Sequence, residues 1–312
     1  MLADFVKQAH RYAQDVGAQE IWLLSRDCES IHDVLASGTA PAGAIPTRYV
    51  HTSRAATYPI LAHSDETVFA RWRNRPATDD DRRAGKDLIA AYQAMVEPAV
   101  ERILIVDIGW KGRVQIAIQT ALPDVEVFGF YMSLSDEAEP ATRARSRVFC
   151  GWDRTILNQA GAEALSGYRQ GSCTGYRATQ NGWAPVFKDA EGDVAPAAYC
   201  ESLRQHLGDF LAQSAGSDDE ALRRDALADI LTRPDAITAR AFETWGIGAE
   251  ISSDPTGSLV AGGKTDLVSR ALGREIRDNV WPELAMWSLS RHPLAVTLLQ
   301  KQMRARKRLQ QK

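Results

Sequence analysis

Residues 3–16 place Phe5, Val6, Ala9, Tyr12, Ala13 and Val16 at helical spacing, and Gly17 follows where a left-handed C-cap belongs. The next apolar run, Ile21-Trp22-Leu23-Leu24, is too short for a helix and lacks polar alternation, as in a strand covered on both faces. Ser25-Arg26-Asp27 ends it, and helical spacing resumes over residues 30–35. Residues 36–47 are rich in Gly, Pro and Ala and predict a loop. Arg48-Tyr49-Val50-His51-Thr52 predicts a second short strand, followed by Ser53-Arg54-Ala55-Ala56. The charge-dense stretch 65–84 predicts a solvated helix-loop-helix face, and residues 88–100 a further helix.

Residues 102–132 carry the plainest pattern. Arg102-Ile103-Leu104-Ile105-Val106 predicts a strand, Asp107-Ile108-Gly109-Trp110-Lys111-Gly112 a glycine-bearing turn, and residues 113–122 a helix that Pro123-Asp124 breaks. Residues 125–132 then return as a parallel strand, completing a right-handed βαβ crossover. The whole predicts an α/β fold with a Rossmann-like, mostly parallel sheet flanked by helices. Residues 1–150 would form the ligand-binding α/β domain and residues 151–312 a mainly helical region. Residues 151–198 show no sustained period, whereas 199–213, 218–232, 235–245 and 281–308 read as helices. In the last of these, Trp281, Leu284, Trp287, Leu294 and Leu298 precede the basic residues Lys301, Arg304, Arg306, Lys307 and Arg308. That stretch is either a core-packed helix with a frayed basic end or an interfacial helix making peripheral contact with a membrane.

Composition narrows the function more than the fold. The 312 residues are 45% hydrophobic and 25% charged, ordinary globular values, and the net charge of -3 gives no reason to expect nucleic acid as a partner. Cys28, Cys150, Cys173 and Cys200 lie far apart without metal-site spacing and predict free thiols in a reducing compartment. The start of the chain shows no basic-then-apolar leader pattern, and no apolar run approaches the ~18 residues a membrane span needs. A cytoplasmic location is the expectation.

Ligands of doubly wound sheets sit beyond the carboxyl ends of the strands, where both candidate loops fall. Gly109 and Gly112 would let the backbone approach an anion, the following helix would aim its N–H groups at it, Lys111 adds charge, and Asp107 suits a ribose hydroxyl or a metal. The competing explanation is a tight βα turn that needs glycine for steric reasons. Arg26 suits bidentate phosphate binding and Asp27 suits Mg²⁺ shared with phosphates, unless the two simply pair to fasten one loop to another. Arg54, with Arg48 and Tyr49 on the strand before it, adds a third strand-end site, which tilts the reading towards an anion.

Two chemistries fit poorly. A methyltransferase would use a similar strand-Asp-x-Gly turn but place an acidic residue at the end of the next strand, where Phe130-Tyr131-Met132 stand and Asp136 comes late. A dehalogenase-type phosphatase needs an Asp pair closing a buried strand, whereas Asp79-Asp80-Asp81 has no strand before it.

The stretches "IWLLSRD" (21–27), "YVHTSRA" (49–55), "IVDIGWKGRVQ" (105–115) and "VFGFYMSL" (127–134), with weaker echoes at Glu163, Tyr176 and Trp183-Ala184-Pro185, occur in an order that resembles one bacterial family. This is the glycan phosphoribosyltransferase half of the dual-domain ribofuranosyltransferases of polysaccharide assembly, proteins often labelled haloacid-dehalogenase-type hydrolases. The resemblance implies a glycosyltransferase that moves 5-phosphoribosyl from 5-phosphoribosyl-1-diphosphate to a glycan acceptor, free or lipid-linked. It implies Asp27, Asp107 and Glu163 as catalytic residues, Glu163 deprotonating the acceptor, and Mg²⁺ on the diphosphate held by Asp27 and Asp107. Ser25, Arg26, Tyr49, Arg54, Gly109, Trp110, Lys111, Gly112, Gln115 and Tyr176 would bind the donor. The phosphatase half has no counterpart, which implies either a separate dehalogenase-type phosphatase or a piece of a longer chain. The family continues "SRD" with glycine where this chain has Cys28, and Lys111 and Cys173 also depart from its pattern. An S-adenosylmethionine-dependent methyltransferase and a non-catalytic scaffold of a polysaccharide-assembly complex are the alternatives.

Overall fold

A computed structural model describes residues 2–39, 44–135, 137–150, 166, 169, 171–188 and 197–213. The chain divides into two compact units, and the described residues fall in the one made of Met1–Arg154, Ser166–Glu191 and Ala197–Ser217. Its centre is a sheet of β1 (Glu20–Leu24), β2 (Thr47–Val50), β3 (Arg102–Trp110), β4 (Glu126–Leu134) and β5 (Ser146–Val148), ordered β2-β1-β3-β4-β5 with every neighbour parallel. The fold is therefore α/β and Rossmann-like, as the apolar pattern predicts. Among the described residues no helix is long and apolar enough to cross a membrane.

Continuous apolar strands require cover on both faces, and all five residues of β1 are buried. On one face Trp22, Leu24, Ile103, Ile105, Val127 and Tyr131 share a core with α3 (Tyr58–Ser64), α5 (Asp79–Gln93) and α6 (Arg113–Ala121). α4 (Glu66–Arg73) joins that layer through fully buried Phe69. On the other face α1 (Leu2–Asp15) brings Phe5 within 5.1 Å of Phe130 and 5.8 Å of Phe149, and Arg147 lies 4.3 Å over the Tyr12 ring. α2 (Glu29–Val34), followed by a π turn at Leu35–Thr39, packs beside β1 and β2 together with α8 (Ala197–Gln213). The step from β1 to β2 runs through α2, while the steps from β2 to β3 and from β3 to β4 use helices on the opposite face. That is what right-handed crossovers in opposite directions require. α7 (Pro140–Ala144) leads into β5.

Three local expectations need correction. β3 does not end at Val106 but runs to Trp110, so Asp107, Ile108 and Gly109 are strand residues and only Lys111 and Gly112 connect to α6. The cause lies at Gly109, whose φ of 112° keeps it in register with Ser133; a Cβ there would stand 2.2 Å from the Ser133 carbonyl oxygen. Second, the helix expected over 88–100 is α5, starting nine residues earlier at Asp79 and ending at Gln93. Thr78 and Asp81 form a capping box at its start, and Asp79, Asp80 and Asp81 sit in the first turn, where the helix dipole favours them. Third, residues 171–188, where no period was visible, form an antiparallel hairpin of β6 (Cys173–Thr179) and β7 (Gly182–Phe187).

Candidate functional site at the carboxyl edge of the sheet

From β1 the chain moves outward to β2, then crosses back to β3 on the other side, so the strand order reverses between β1 and β3. In open α/β sheets ligands bind in the crevice beyond the carboxyl ends at that reversal. Two of the sequence-predicted segments, Ser25-Arg26-Asp27 and Asp107 to Gly112, close β1 and β3, and a third, around Arg54, follows β2.

The first segment is anchored at both ends. The Ser25 hydroxyl donates to the Thr52 carbonyl at 2.8 Å and accepts from the Thr52 N–H at 2.7 Å, tying the loop after β1 to the loop after β2. Two residues after the cis Ser25–Arg26 peptide, the fully buried Cys28 thiol donates to the Val106 carbonyl at 3.4 Å. Asp27 and Asp107 are half-buried, and the charge of each reaches that thiol. Burial pushes the Cys28 thiol well above its ordinary value, and the charges of Asp107 and Asp27 push it further. Cys28, where the family pattern has glycine, is thus a neutral packing residue that fixes the spacing of two strand ends.

Asp107 also contributes, after burial, to raising the Tyr131 phenol, which donates at 2.8 Å to Gln115 Oε1. Gln115 is buried; its Nε2 donates to the Val127 carbonyl at 3.0 Å and its Oε1 also accepts from Ser146 at 3.0 Å. Its side chain therefore holds α6 to β4 rather than facing the crevice. Gly112 caps α6 at φ 62° without any side-chain cap, and a Cβ there would meet Thr142 Cγ2 at 2.4 Å. Steric need alone accounts for both glycines. The same geometry starts a nine-residue helix at the carboxyl edge with a residue that has no side chain to cap its N–H groups. Lys111 pairs with Glu137 at 2.7 Å; both side chains are well exposed, so the pair is worth about 0–1 kcal/mol and yields readily to an anion. Trp110 is the last residue of β3.

The third segment starts α3: the carbonyl of exposed Arg54 accepts from the N–H groups of Thr57 at 3.4 Å and Tyr58 at 3.0 Å. The hairpin is fastened just before it. Tyr176 donates its hydroxyl to the His51 carbonyl at 2.6 Å, and the Ser53 hydroxyl donates to the Cys173 carbonyl at 2.5 Å. Tyr92 supports the same loop from beneath, donating to Thr52 Oγ1 at 2.8 Å. Tyr49 stands at the outer rim, its phenol pushed up by burial first and then by Glu29, Cys28, Asp27 and Asp33.

Ser25, Arg26, Asp27, Asp107 and the Gly112 helix start thus gather at one edge, with Tyr49, Arg54 and Tyr176 around the β2 end. Glu163 and the basic stretch 281–308 lie outside the described residues. Several neighbours escaped the sequence reading. Arg113, first in α6, lies 5.1 Å over the Trp72 ring and donates to the Tyr58 hydroxyl at 3.4 Å. Arg169 binds buried Glu29 through its backbone N–H at 2.6 Å and its Nε at 3.0 Å. For Mg²⁺, Asp27 and Asp107 are hard oxygen donors, and this ion is commonly held by one or two carboxylates completed by phosphate oxygens and water, so the pair fits. Among the described residues no group of three or more His, Cys, Asp or Glu side chains is placed to hold a metal alone. No protein-family model matches the chain, and no curated protein matches it.

Proposed function

We propose that the chain is a glycosyltransferase that transfers 5-phosphoribosyl from 5-phosphoribosyl-1-diphosphate to a glycan acceptor in surface-polysaccharide assembly. One observation supports the reading: Asp27 follows β1 and Asp107 lies near the end of β3, at the carboxyl edge where the strand order reverses, and both charges reach the Cys28 thiol, with Arg26 between Ser25 and Asp27. A donor with a diphosphate at one end and a phosphate at the other needs cations, a carboxylate pair for its metal and a helix start. Arg26 and Arg54 would neutralise the leaving diphosphate, while Lys111 and the first N–H groups of α6 would take the 5-phosphate. Mg²⁺ held by Asp27 and Asp107 would supply charge neutralisation at the diphosphate. Bond cleavage at C1 develops an oxocarbenium-like centre, which fixed charges stabilise more than covalent help would. Gln115 would act indirectly by holding α6 against β4. The transferred group keeps its 5-phosphate, so release of a bare ribofuranose would need a separate phosphatase.

Calorimetric titration with 5-phosphoribosyl-1-diphosphate and Mg²⁺, run beside S-adenosylmethionine, tests this. Saturable binding of the diphosphate that Arg26→Ala and Asp107→Asn each weaken at least about tenfold is expected, roughly 1.4 kcal/mol per variant. Binding of S-adenosylmethionine alone would replace the reading with a methyltransferase. Binding of neither would leave a scaffold.

A further inference from the structure

At the outer end of the site, four aromatic rings run from α2 past β2 to the hairpin. His32 of α2 lies 5.2 Å from Tyr49, Tyr49 lies edge-on to His51 at 4.9 Å, and His51 lies edge-on to Phe187 at 5.0 Å. Phe187 and its neighbour Val186 are the exposed large hydrophobic residues among those described, at 37% and 38%. An exposed apolar pair on a hairpin strand is unremarked in most proteins, but this one touches a strand-end histidine. His51 follows the last residue of β2, two residues after Tyr49, whose phenol feels the charge of Asp27. Its ring is half-buried, and its Nδ1 is enclosed yet makes no hydrogen bond among the described residues. The rings of Tyr49 and Phe187 pack against its ring, and the Tyr176 hydroxyl holds its backbone carbonyl.

Resting on the donor reading given above, we propose that His51 and Phe187 form the acceptor subsite, where a neutral pyranoside packs its C–H face on Phe187 and presents a hydroxyl to His51. The ring faces here bear no formal charge, which suits a neutral sugar better than a second anion. An aromatic face gives a sugar apolar contact at little entropic cost, while the imidazole fixes its orientation. Burial and neighbouring His32 hold the His51 imidazole below its ordinary value, so at pH 7 it is neutral and can accept a proton. In the transfer step the acceptor O–H bond breaks and its proton passes to the imidazole. The freed oxygen pair forms the new bond to C1 as the C1–O bond to diphosphate breaks, and diphosphate leaves with that electron pair. Tyr49 and Tyr176, both with phenols raised by burial, stay neutral beside it.

The test uses the whole chain with labelled histidines, followed by NMR while methyl glycosides of galactose, glucose, mannose and N-acetylglucosamine are added with donor and Mg²⁺. The His51 signal is identified by its loss in His51→Gln. At least one glycoside should move that signal saturably, and Phe187→Ala should weaken its binding about tenfold without changing donor affinity by calorimetry. With that glycoside, His51→Gln should slow diphosphate release by about 10²–10³-fold at unchanged donor affinity, the usual range for a lost general base. If no glycoside moves the signal while the donor binds, the subsite is wrong and the donor reading stands. If a glycoside binds as described and the donor does not, the donor reading fails and the sugar site stands. A His51→Gln chain releasing diphosphate at the wild-type rate overturns the proton-accepting role.

Discussion

The Ser25 side chain and the Thr52 backbone satisfy one another twice, with the hydroxyl donating to the carbonyl at 2.8 Å and accepting from the N–H at 2.7 Å. No ladder hydrogen bond could do this, because by residue 52 the chain has left β2. A single hydroxyl thus stands in for a sheet rung at the point where the sheet opens into a site.

Ser25→Ala removes both bonds and leaves a partly buried N–H and carbonyl to find water. A loss of about 1–3 kcal/mol in denaturant unfolding is expected, with weaker donor binding than that stability change alone would cause. A loss below about 0.5 kcal/mol, the ordinary range for surface substitutions, would show that the two loops are tied by something else.

Gly109 and Gly175 make a matched pair of probes. Gly109→Ala combines a φ of 112° with a backbone oxygen 2.2 Å from the new Cβ, which the register of β3 against β4 cannot relieve. It should destabilise by about 3 kcal/mol or more, or fail to accumulate as folded protein. Gly175→Ala meets nothing within 4 Å and should stay within about 0.5 kcal/mol of wild type. Thermal melts of the two variants decide the matter side by side.

Asp81 provides a pH signature for the start of α5. Its carboxylate accepts from Arg75 at 2.6 and 2.9 Å and from the Thr78 N–H at 2.9 Å, which hold it far below the ordinary carboxylate range, Arg75 contributing most. A depressed value stabilises the fold above the unfolded-state value of about 4 and loses that contribution as pH falls below it. Asp81→Ala should therefore cost about 1 kcal/mol at pH 7, and the gap from wild type should begin to narrow below about pH 4 and close only as pH passes the depressed folded-state value. Urea titrations at pH 7 and at successively lower pH, well below about 3, measure it.

Glu29 lies almost fully buried and meets Arg169, 140 residues later in the chain, through the Arg169 N–H and Nε. Arg169→Ala leaves that carboxylate short of its cation, a loss on the order of 3 kcal/mol for a buried pair, reduced here because the Arg169 side chain is 43% exposed. Protease digestion should cut the Arg169→Ala chain near residue 169 faster than wild type. Equal rates would mean that other contacts hold this segment.

Where sequence and structure agree, short apolar runs carried the information. Ile21 to Leu24 and Ile103 to Val106 can only be strands buried on both sides, and helical spacing between them fixes an α/β sheet. The strand-end positions of Ser25, Arg26, Asp27 and Asp107 follow directly. What stayed hidden depended on tertiary pairing. β3 continues through Asp107 because β4 lies alongside it, a fact that Gly109 permits but does not announce. The hairpin is half-exposed on both faces, so its alternation is weak, and its one local signal is Asn181-Gly182 at the turn. Thr78 and Asp81 carry the start signal of α5, but the density of charge around them hides the apolar period that would extend the helix back to it. Gln115 sits in a stretch with a site-like motif, yet its amide is consumed by Val127, Tyr131 and Ser146, which no spacing rule reveals.

The hairpin's hold on the loop after β2 orders events in time. A nascent chain can assemble β1, β2, β3 and β4 as soon as residue 134 is free to pair. The His51 carbonyl must still wait for Tyr176, and the Ser53 hydroxyl for the Cys173 carbonyl, 125 and 120 residues further on. During synthesis the sheet is thus finished before its rim, and the site at its edge is completed only once the hairpin has been made.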